Sequence, residues 1–262
     1  MLDSTQSFFA PSILRDKSET ILVYGWKARL GIMPTMDDMV LEPELNFMKP
    51  DGIAIYASRL KKPSKDTNIE TQSFAVDFLE DAVKMLAFVN PKVICLGSTS
   101  SSFVRGADQT KKLIARIEQA SGGVPGTTIS DSLVHGLREF GAKRVSVVTP
   151  YVEELNVRER AFLEANDFEV LNIDGFQLLS SDDICNLQPE AIYDFALHHF
   201  DSRADTLLFS CTGLHTAPLM DRVERHYRKP LVSSNAAALW RMLRIVGVKE
   251  KVKGFGSLLS EH

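Results

Sequence analysis

One cysteine of this sequence follows an apolar run, at a position where a thiol could do chemistry. The run Leu207–Phe209 is followed by Ser210, Cys211, Thr212 and Gly213. In an open α/β sheet, ligands bind beyond the carboxyl ends of the strands, which is where this pattern places Cys211. The pattern also predicts that a helix begins here, and a helix N-terminus lowers the pKa of a thiol. An unpaired cysteine is more often a small buried apolar residue, so a reactive role for Cys211 needs further evidence from the rest of the chain.

A second segment has the same pattern. The apolar run Val93–Gly97 is followed by Ser98, which occupies the place that Cys211 holds in the first segment, and a threonine follows each of them. Other segments recur at a separation of roughly one hundred residues, and two copies of a long unit indicate two similar domains rather than a solenoid. We therefore expect Ser98 and Cys211 to face each other across one cleft, as the two catalytic positions.

Hydroxyl groups, a phenol and exposed backbone N–H groups follow the other strand-like segments. Groups of this kind bind anionic oxygens such as carboxylates. Each one alone is explained by helix capping, because Ser, Thr and Asn are preferred N-cap residues. Several such strand ends converge, however, and this convergence favours a carboxylate-binding pocket. The predicted substrate-binding residues are Thr35, Thr99, Ser100, Tyr151, Thr212, Gly213, Ser234 and Asn235.

Other kinds of site are not indicated. The sequence has no H-E-x-x-H or C-x-x-C spacing, no glycine-rich phosphate loop and no G-x-S-x-G turn, so it predicts neither a metal site nor a serine-hydrolase site. Asp37 and Asp38 are interpreted as a helix-start pair. Cys95 lies inside a predicted buried strand, where apolar surroundings raise the pKa of a thiol. Cys185 lies in a polar connection, so we predict that Cys211 is the reactive thiol.

The elements that must position these residues alternate between strand and helix. Such alternation produces mostly parallel sheets, and continuous apolar strands indicate sheets that are covered on both faces. The predicted fold is α/β, with two similar Rossmann-like lobes and a cleft between them. Strands are predicted over 29–34, 52–57, 92–97, 144–149, 168–173, 206–210 and 230–232. Helices are predicted over 69–89, 107–121, 130–140, 152–166, 187–201, 216–227 and 235–246.

Composition and charge limit the class of protein and its partners. The 262 residues are 44% hydrophobic and 24% charged, which is typical of a soluble globular protein. The net charge is −4 and there is no basic stripe, so nucleic acid is not an expected partner. No apolar run is long enough to cross a membrane and no signal pattern begins the chain. Three cysteines without paired spacing favour a reducing compartment, and hence a cytoplasmic location.

We expect three parts in the chain. These are an N-terminal arm over 1–27, a first α/β lobe over 28–135 plus 232–262, and a second α/β lobe over 136–231. No low-complexity tract or flexible linker separates the two lobes, so they are expected to pack closely.

Several motifs together resemble one known family. They are similar to motifs of the maleate isomerase and arylmalonate decarboxylase branch of the aspartate/glutamate racemase superfamily. The similarity covers most of the chain and is more specific for the family than for the reaction. The segments that carry it are Arg29–Thr35, Leu41–Leu45, Thr99–Gly106, Val148–Asn156, Ser210–Thr216 and Pro230–Trp240.

The resemblance implies two α/β lobes related by pseudo-twofold symmetry, with the active site between them. It also implies a small carboxylate substrate, chemistry without a metal or organic cofactor, and a homodimer or higher homo-oligomer. In two-base members, a cysteine from each lobe faces one side of the substrate carbon. Cys211 matches the second cysteine, whereas Ser98 stands in place of the first. Serine is a far weaker acid than a thiol, and this departure makes the chain more similar to arylmalonate decarboxylases, which keep only the second cysteine.

The preferred hypothesis is decarboxylation of a small dicarboxylic acid, with protonation of the resulting enediolate by Cys211. One alternative is a maleate cis–trans isomerase-like or racemase-like reaction with Cys211 as nucleophile, including a role in the breakdown of ectoine-type amino-acid derivatives. The other alternative is a non-catalytic carboxylate-binding protein. Loss of turnover in Cys211→Ala would separate an enzyme from a binder, and release of CO₂ would separate a decarboxylase from an isomerase.

Overall fold

The computed structural model describes residues 23–262, in which the strands form two parallel sheets of four strands each. The strands of the first sheet are β1 (Ala28–Pro34), β2 (Ile53–Ala57), β3 (Val93–Gly97) and β4 (Gly126–Thr128). Those of the second are β5 (Arg144–Thr149), β6 (Glu169–Gly175), β7 (Thr206–Phe209) and β8 (Leu231–Ser233). The spatial orders are β2-β1-β3-β4 and β6-β5-β7-β8. Because the two orders repeat the same pattern, the prediction of two similar α/β lobes with parallel sheets is confirmed.

Helices cover both sheets, as parallel strands require. The central strands β3 and β7 are buried along their whole length. The helices are α1 (Leu41–Met48), α2 (Ile69–Val76), α3 (Leu79–Ala87), α4 (Thr99–Phe103), α5 (Gln109–Ala120), α6 (Ile129–Glu139), α7 (Glu153–Glu164), α8 (Ser181–Cys185), α9 (Pro189–His199), α10 (Met220–Tyr227), α11 (Ser234–Ile245) and α12 (Ser257–Glu261). A short 3₁₀ helix, Ala217–Leu219, precedes α10.

The predicted helix over 69–89 is wrong as one element, because the structure divides it into α2 and α3. Arginine side chains from outside the segment explain the break. Arg116 donates from Nη2 to the carbonyl oxygen of Val76 at 3.0 Å, and Arg105 donates to that of Ser73 at 2.7 Å. These bonds satisfy carbonyl groups at the end of α2 that the helix itself leaves without a partner. The sequence pattern of apolar residues does not contain this long-range contact.

Several short elements were not predicted. They are α1, α4, α8, α12 and the strand β4. The three residues of β4, Gly126, Thr127 and Thr128, pair with β3 but form no apolar run. Elements of this length give too few residues for a periodicity to be recognised.

The two lobes share one continuous core. Leu30 of β1, Val147 of β5 and Leu208 of β7 belong to the same cluster of buried apolar side chains. Helices α6 and α11 pack against each other, and this cluster also contains Leu133 and Leu239 from them. The expected domain boundaries, 28–135 plus 232–262 and 136–231, stay a prediction. Residues 1–22 of the expected arm lie outside the described residues.

No helix within residues 23–262 has both the length and the apolar character that a membrane span needs.

Candidate active site

The carboxyl ends of β1, β3, β5 and β7 border one small cavity. Parallel strands direct these ends to the same side of a sheet, and the two lobes bring two such sides together. Seven predicted site residues line the cavity: Thr35, Ser98, Ser100, Tyr151, Cys211, Thr212 and Gly213. Its other lining residues are Asp38, Thr67, Gln72, Ser181, Ile184 and Cys185.

Cys211 follows β7 and has one strong backbone contact. The N–H group of Gly213 donates to the Cys211 sulfur at 3.3 Å, and the Tyr151 hydroxyl also contacts this sulfur. Cys211 is only 7% exposed. Burial raises the pKa of the thiol far above its ordinary value, and the nearby charge of Asp38 raises it further. At neutral pH the group is therefore a protonated thiol.

The expectation of a thiolate at a helix N-terminus is wrong for Cys211. The residues after it form a turn, and helical structure begins only at Ala217. The thiol therefore does not lie at the end of a helix dipole, and burial decides the direction of the pKa change.

Ser98 follows β3 and lines the same cavity as Cys211. Its hydroxyl oxygen accepts a hydrogen bond from the Ser101 N–H group at 3.4 Å and so caps α4. The hydroxyl also contacts the Ser101 hydroxyl at 2.9 Å and the Gln72 side-chain oxygen at 3.2 Å. The single proton of Ser98 is therefore directed into this polar cluster.

Tyr151 and Ser100 lie beside Cys211 in the cavity wall. The Tyr151 hydroxyl contacts both the Ser100 hydroxyl and the Cys211 sulfur. Burial raises the pKa of Tyr151 well above its ordinary value, so the phenol keeps its proton. Its ring packs edge-on against Phe103 of α4, with 6.5 Å between the ring centres, and this contact between the lobes fixes the position of the hydroxyl.

Asp38 combines the predicted helix-start role with a place in the cavity wall. One carboxylate oxygen accepts hydrogen bonds from the N–H groups of Val40 at 2.8 Å and Leu41 at 3.0 Å, where α1 begins. The carboxylate also contacts the Thr212 side chain. Burial raises the pKa of Asp38, and these hydrogen bonds partly offset the increase. Among the described residues that line the cavity, Asp38 is the only carboxylate, and none is a lysine or arginine.

Thr99, Ser234 and Asn235 do not line the cavity, in contrast to the expectation for these three residues. The Thr99 hydroxyl donates to the Ser234 hydroxyl at 3.0 Å, behind the wall. Asn235 donates from its side-chain amide to Glu44 at 2.7 Å and to the carbonyl oxygen of Thr212 at 3.1 Å. All three are buried, and their polar groups join structural elements to one another.

A strap, defined here as residues 58–68, reaches from the first lobe to the second. Its Thr67 N–H group donates to the carbonyl oxygen of Leu179 at 2.7 Å, and the Ser181 N–H group donates back to that of Lys65 at 2.9 Å. Lys62 of the strap forms a buried ion pair with Asp37, at 2.6 Å, and donates to the Ser181 hydroxyl at 3.1 Å. The strap therefore forms part of the cavity wall and holds the two lobes together.

Cys185, which ends α8, is a cavity residue that the sequence interpretation missed. It is 6% exposed, and burial raises the pKa of its thiol to about 11. Cys95 does not line the cavity, and burial inside β3 raises its pKa as expected. Cys185 and Gln72 come from helices rather than from strand ends, so the strand-end pattern could not identify them.

Residues 23–262 contain no cluster of three histidine, cysteine or acidic side chains with the geometry of a metal site. The cavity instead offers hydroxyl groups, thiols and one carboxylate. The structure thus has two parallel-sheet lobes with a polar cavity between them. This is the two-lobed α/β architecture that the sequence motifs predict.

A family model for arylmalonate decarboxylase matches residues 32–259. The chain therefore belongs to the arylmalonate decarboxylase family.

Individual relatives support this assignment. The arylmalonate decarboxylase of Bordetella bronchiseptica is 28% identical over 232 residues, which cover 85% of this chain and 95% of the relative. A liganded structure of an arylmalonate decarboxylase double mutant superposes with a TM-score of 0.83 at 26% identity, covering 90% of this chain and 100% of the other. The maleate isomerase of Pseudomonas putida S16, solved with maleate, has the same fold, with a TM-score of 0.85 at 20% identity over 89% of this chain and 97% of the other.

Proposed function

We propose that this protein is a cofactor-independent enzyme that acts at the carbon alpha to a carboxylate, and that it decarboxylates a small dicarboxylic acid with Cys211 as the proton donor. The observation that carries the proposal is the buried thiol of Cys211 in a cavity walled by hydroxyl groups, a setting that keeps the thiol protonated. A general acid must hold its proton until the transition state. The same thiol is poorly suited to act as a nucleophile, because only the thiolate attacks.

The carboxylate that is retained would bind next to Cys211. The Ser100 and Tyr151 hydroxyls and the Thr212 backbone N–H group are the donors we assign to it, since all three residues line the cavity. The Gly213 N–H group is directed to the Cys211 sulfur, so it stabilises the thiolate instead. By analogy with oxyanion holes, each donor to the developing charge contributes about 2.7–4 kcal/mol to catalysis.

In the proposed reaction, the bond between the alpha carbon and the departing carboxylate breaks, and CO₂ leaves. The electron pair of that bond stays on the alpha carbon and spreads into the retained carboxylate as an enediolate. The proton of Cys211 then adds to the alpha carbon, which leaves a thiolate at Cys211. Ser98 does not compete as a donor, because serine is a much weaker acid and its proton is engaged with Ser101 and Gln72. Protonation from one face makes a single enantiomer.

The lining also defines the class of acid that we propose as substrate. Ile184 supplies the one purely aliphatic side chain among the described residues around the cavity. An aromatic substituent gains its affinity from buried apolar surface, and this wall provides little of it. A malonate with a small polar substituent fits better. A hydroxyl or amino group could donate to Asp38, whereas a further carboxylate would be repelled by it.

Cis–trans isomerisation is the second candidate, and the polar lining of the cavity suits a small dicarboxylate such as maleate. Maleate isomerases are among the curated relatives, for example that of Nocardia farcinica, 27% identical over 187 residues. In this chain the isomerase hypothesis requires the Cys211 thiolate, and the raised pKa of Cys211 opposes its formation.

The test is turnover of a panel of acids by wild type, Cys211→Ala and the control Cys95→Ala. The panel comprises malonate, methylmalonate, hydroxymalonate, aminomalonate, phenylmalonate and maleate. We expect CO₂ release from a small substituted malonate by wild type and Cys95→Ala, and none by Cys211→Ala. Conversion of maleate to fumarate without CO₂ release from any malonate would favour the isomerase. Binding without turnover in a folded wild-type protein would favour a carboxylate-binding protein.

A further inference from the structure

The cavity contains a second thiol next to Cys211. Cys185 comes from α8 of the same lobe, and Gly213 lies between the two cysteines. A Cβ atom on Gly213 would be 3.3 Å from the Cys185 sulfur and 3.6 Å from the Cys211 sulfur. The two sulfur atoms therefore border the same small space, which exists because residue 213 has no side chain.

The proposed decarboxylation creates a need that Cys211 cannot meet alone. Every turnover moves one proton from the Cys211 sulfur to the alpha carbon, so a thiolate remains. Before the next turnover this thiolate must take up a proton. It is buried and lies near the negative charge of Asp38, and both conditions favour the return of a proton. A donor at the cavity wall would supply that proton without opening the site.

Two side chains next to the Cys211 sulfur carry protons, Tyr151 and Cys185. The Tyr151 hydroxyl is shared with Ser100 in the carboxylate-binding wall, and its pKa is raised well above the ordinary value for a phenol. Cys185 has no such role, and its thiol is the more acidic, with a pKa of about 11. Transfer from Cys185 to the Cys211 thiolate would pass the proton between two like groups that border the same space beside Gly213.

Cys185 also contacts a residue that borders a second cavity. Its sulfur is 4.0 Å from the carbonyl oxygen of Asp37. Asp37, Lys62 and Asp182 border this second, larger cavity, which the half-exposed Met36 and Met39 also line. Cys185 thus contacts both the space beside Cys211 and a residue that borders the outer cavity.

We propose that Cys185 is a proton-relay residue, which returns a proton to Cys211 after each turnover and is itself reprotonated from solvent in the outer cavity. The inference rests on the proposed decarboxylation. In each cycle the S–H bond of Cys185 breaks as the S–H bond of Cys211 forms. A solvent acid then restores the Cys185 thiol. The net reaction consumes one solvent proton for each CO₂ released.

The experiment compares wild type, Cys185→Ala, Cys185→Ser and the matched control Cys95→Ala, with the malonate of the panel that wild type decarboxylates fastest. Rapid-mixing measurements give the first turnover and the steady state separately. In Cys185→Ala the first turnover should keep the wild-type rate, because Cys211 starts with its own proton. Later turnovers should be slower by at least about tenfold. A burst of one product per active site should therefore appear.

A small buffer acid, imidazolium, distinguishes a relay from a structural role. It should restore the steady-state rate of Cys185→Ala and leave wild type and Cys95→Ala unchanged. Cys185→Ser retains nearly the same volume and should show the same burst. The serine variant therefore keeps the test usable if the alanine variant does not fold. Equal first and later turnovers in a folded Cys185 variant would overturn the relay alone. If wild type releases no CO₂ from any malonate, the proposed function fails first and the relay fails with it.

Discussion

The ends of β3 and β7 occupy the same place in two lobes of the same topology, but they hold their polar side chain in opposite ways. Ser98 is followed at once by α4, and its hydroxyl caps that helix and contacts Gln72. Cys211 is followed by a turn, and its sulfur accepts only a backbone N–H group and the Tyr151 contact. Contacts with the Gln72 and Ser101 side chains thus hold the proton of Ser98. The contacts of Cys211 donate to its sulfur and leave its own proton available.

The buried side chains that pack next to the ends of β3 and β7 differ as well. Gln72, a neutral amide, lies behind Ser98. Behind Ser210, the residue that precedes Cys211, lies the carboxyl group of Glu159, which is 1% exposed. Burial raises the pKa of Glu159 to about 8. The β7 end is therefore built on ionisable groups and the β3 end on neutral ones, which makes only the former sensitive to pH.

The largest expected effect is that of removing the Cys211 thiol, which is the proposed proton donor. In Cys211→Ala, turnover of the preferred malonate should fall by about 10³-fold or more, because the proposed proton donor to the alpha carbon is lost. Ser98→Ala should retain most of the activity, since its proton takes no part. Steady-state CO₂ release from both variants checks the comparison. A larger loss in Ser98→Ala than in Cys211→Ala would reverse the roles of the two strand ends.

The second effect concerns the pH dependence of folding at the β7 end. In the unfolded chain the Glu159 carboxyl ionises in the ordinary range, but in the folded protein it keeps its proton up to a pH of about 8. Stability from this group is therefore complete below the ordinary pKa of the carboxyl and is lost as the pH rises toward 8; between pH 5.5 and pH 8 the loss is ~3 kcal/mol.

Glu159→Gln should remove this part of the pH dependence. Denaturant unfolding of wild type and variant at pH 5.5 and pH 8 measures it, with Glu164→Gln, at the half-exposed end of α7, as the control. An identical pH dependence in Glu159→Gln and wild type would show that the carboxyl ionises normally.

The third effect concerns selectivity near Cys211. Asp38→Asn keeps an oxygen that can accept the Val40 and Leu41 N–H groups but removes the negative charge. The ratio of kcat/KM for aminomalonate to that for methylmalonate should fall by about tenfold, because a charged hydrogen bond to the substituent is lost. Asp37→Asn, in the ion pair with Lys62, serves as the control. An unchanged ratio would mean that the substituent does not reach Asp38.

The fourth effect is a test of the two-sided geometry. Ser98→Cys places a thiol at both strand ends, and the change adds little volume. The minor enantiomer of a product made from a prochiral disubstituted malonate should increase by about tenfold, because a second acid now faces the carbon. Chiral chromatography of the product measures the ratio. A single enantiomer from an active Ser98→Cys variant would mean that Ser98 does not face the reacting carbon.

The smallest effect is expected behind the cavity wall. Thr99→Ala removes the hydrogen bond between Thr99 and Ser234 and should lower the free energy of unfolding by about 1 kcal/mol. The KM for the malonate should stay within a factor of about two of the wild-type value, because Thr99 does not line the cavity. A large increase in KM in Thr99→Ala would show that Thr99 does contribute to substrate binding.

The sequence contained enough information for the lobes and for the strand ends. Continuous apolar runs identified β3, β5 and β7, and a residue one or two positions after each of them lines the cavity. The sequence did not reveal the direction in which the pKa of Cys211 is shifted, because that direction depends on where the next helix begins and on how deeply the thiol is buried. Cys185 and Gln72 were missed for a related reason, since tertiary packing alone brings α8 and α2 to the wall.

The contact between the strap and α8 has a consequence for amide hydrogen exchange. The N–H groups of Thr67 and Ser181 each donate to the opposite lobe, so neither can exchange with solvent deuterium while the lobes stay together. Both amides should exchange at one common rate, that of lobe separation, because a single opening breaks both bonds. A bound acid that contacts both lobes slows that opening by mass action. The exchange rate of these two amides therefore measures how often the contact between the strap and the second lobe opens.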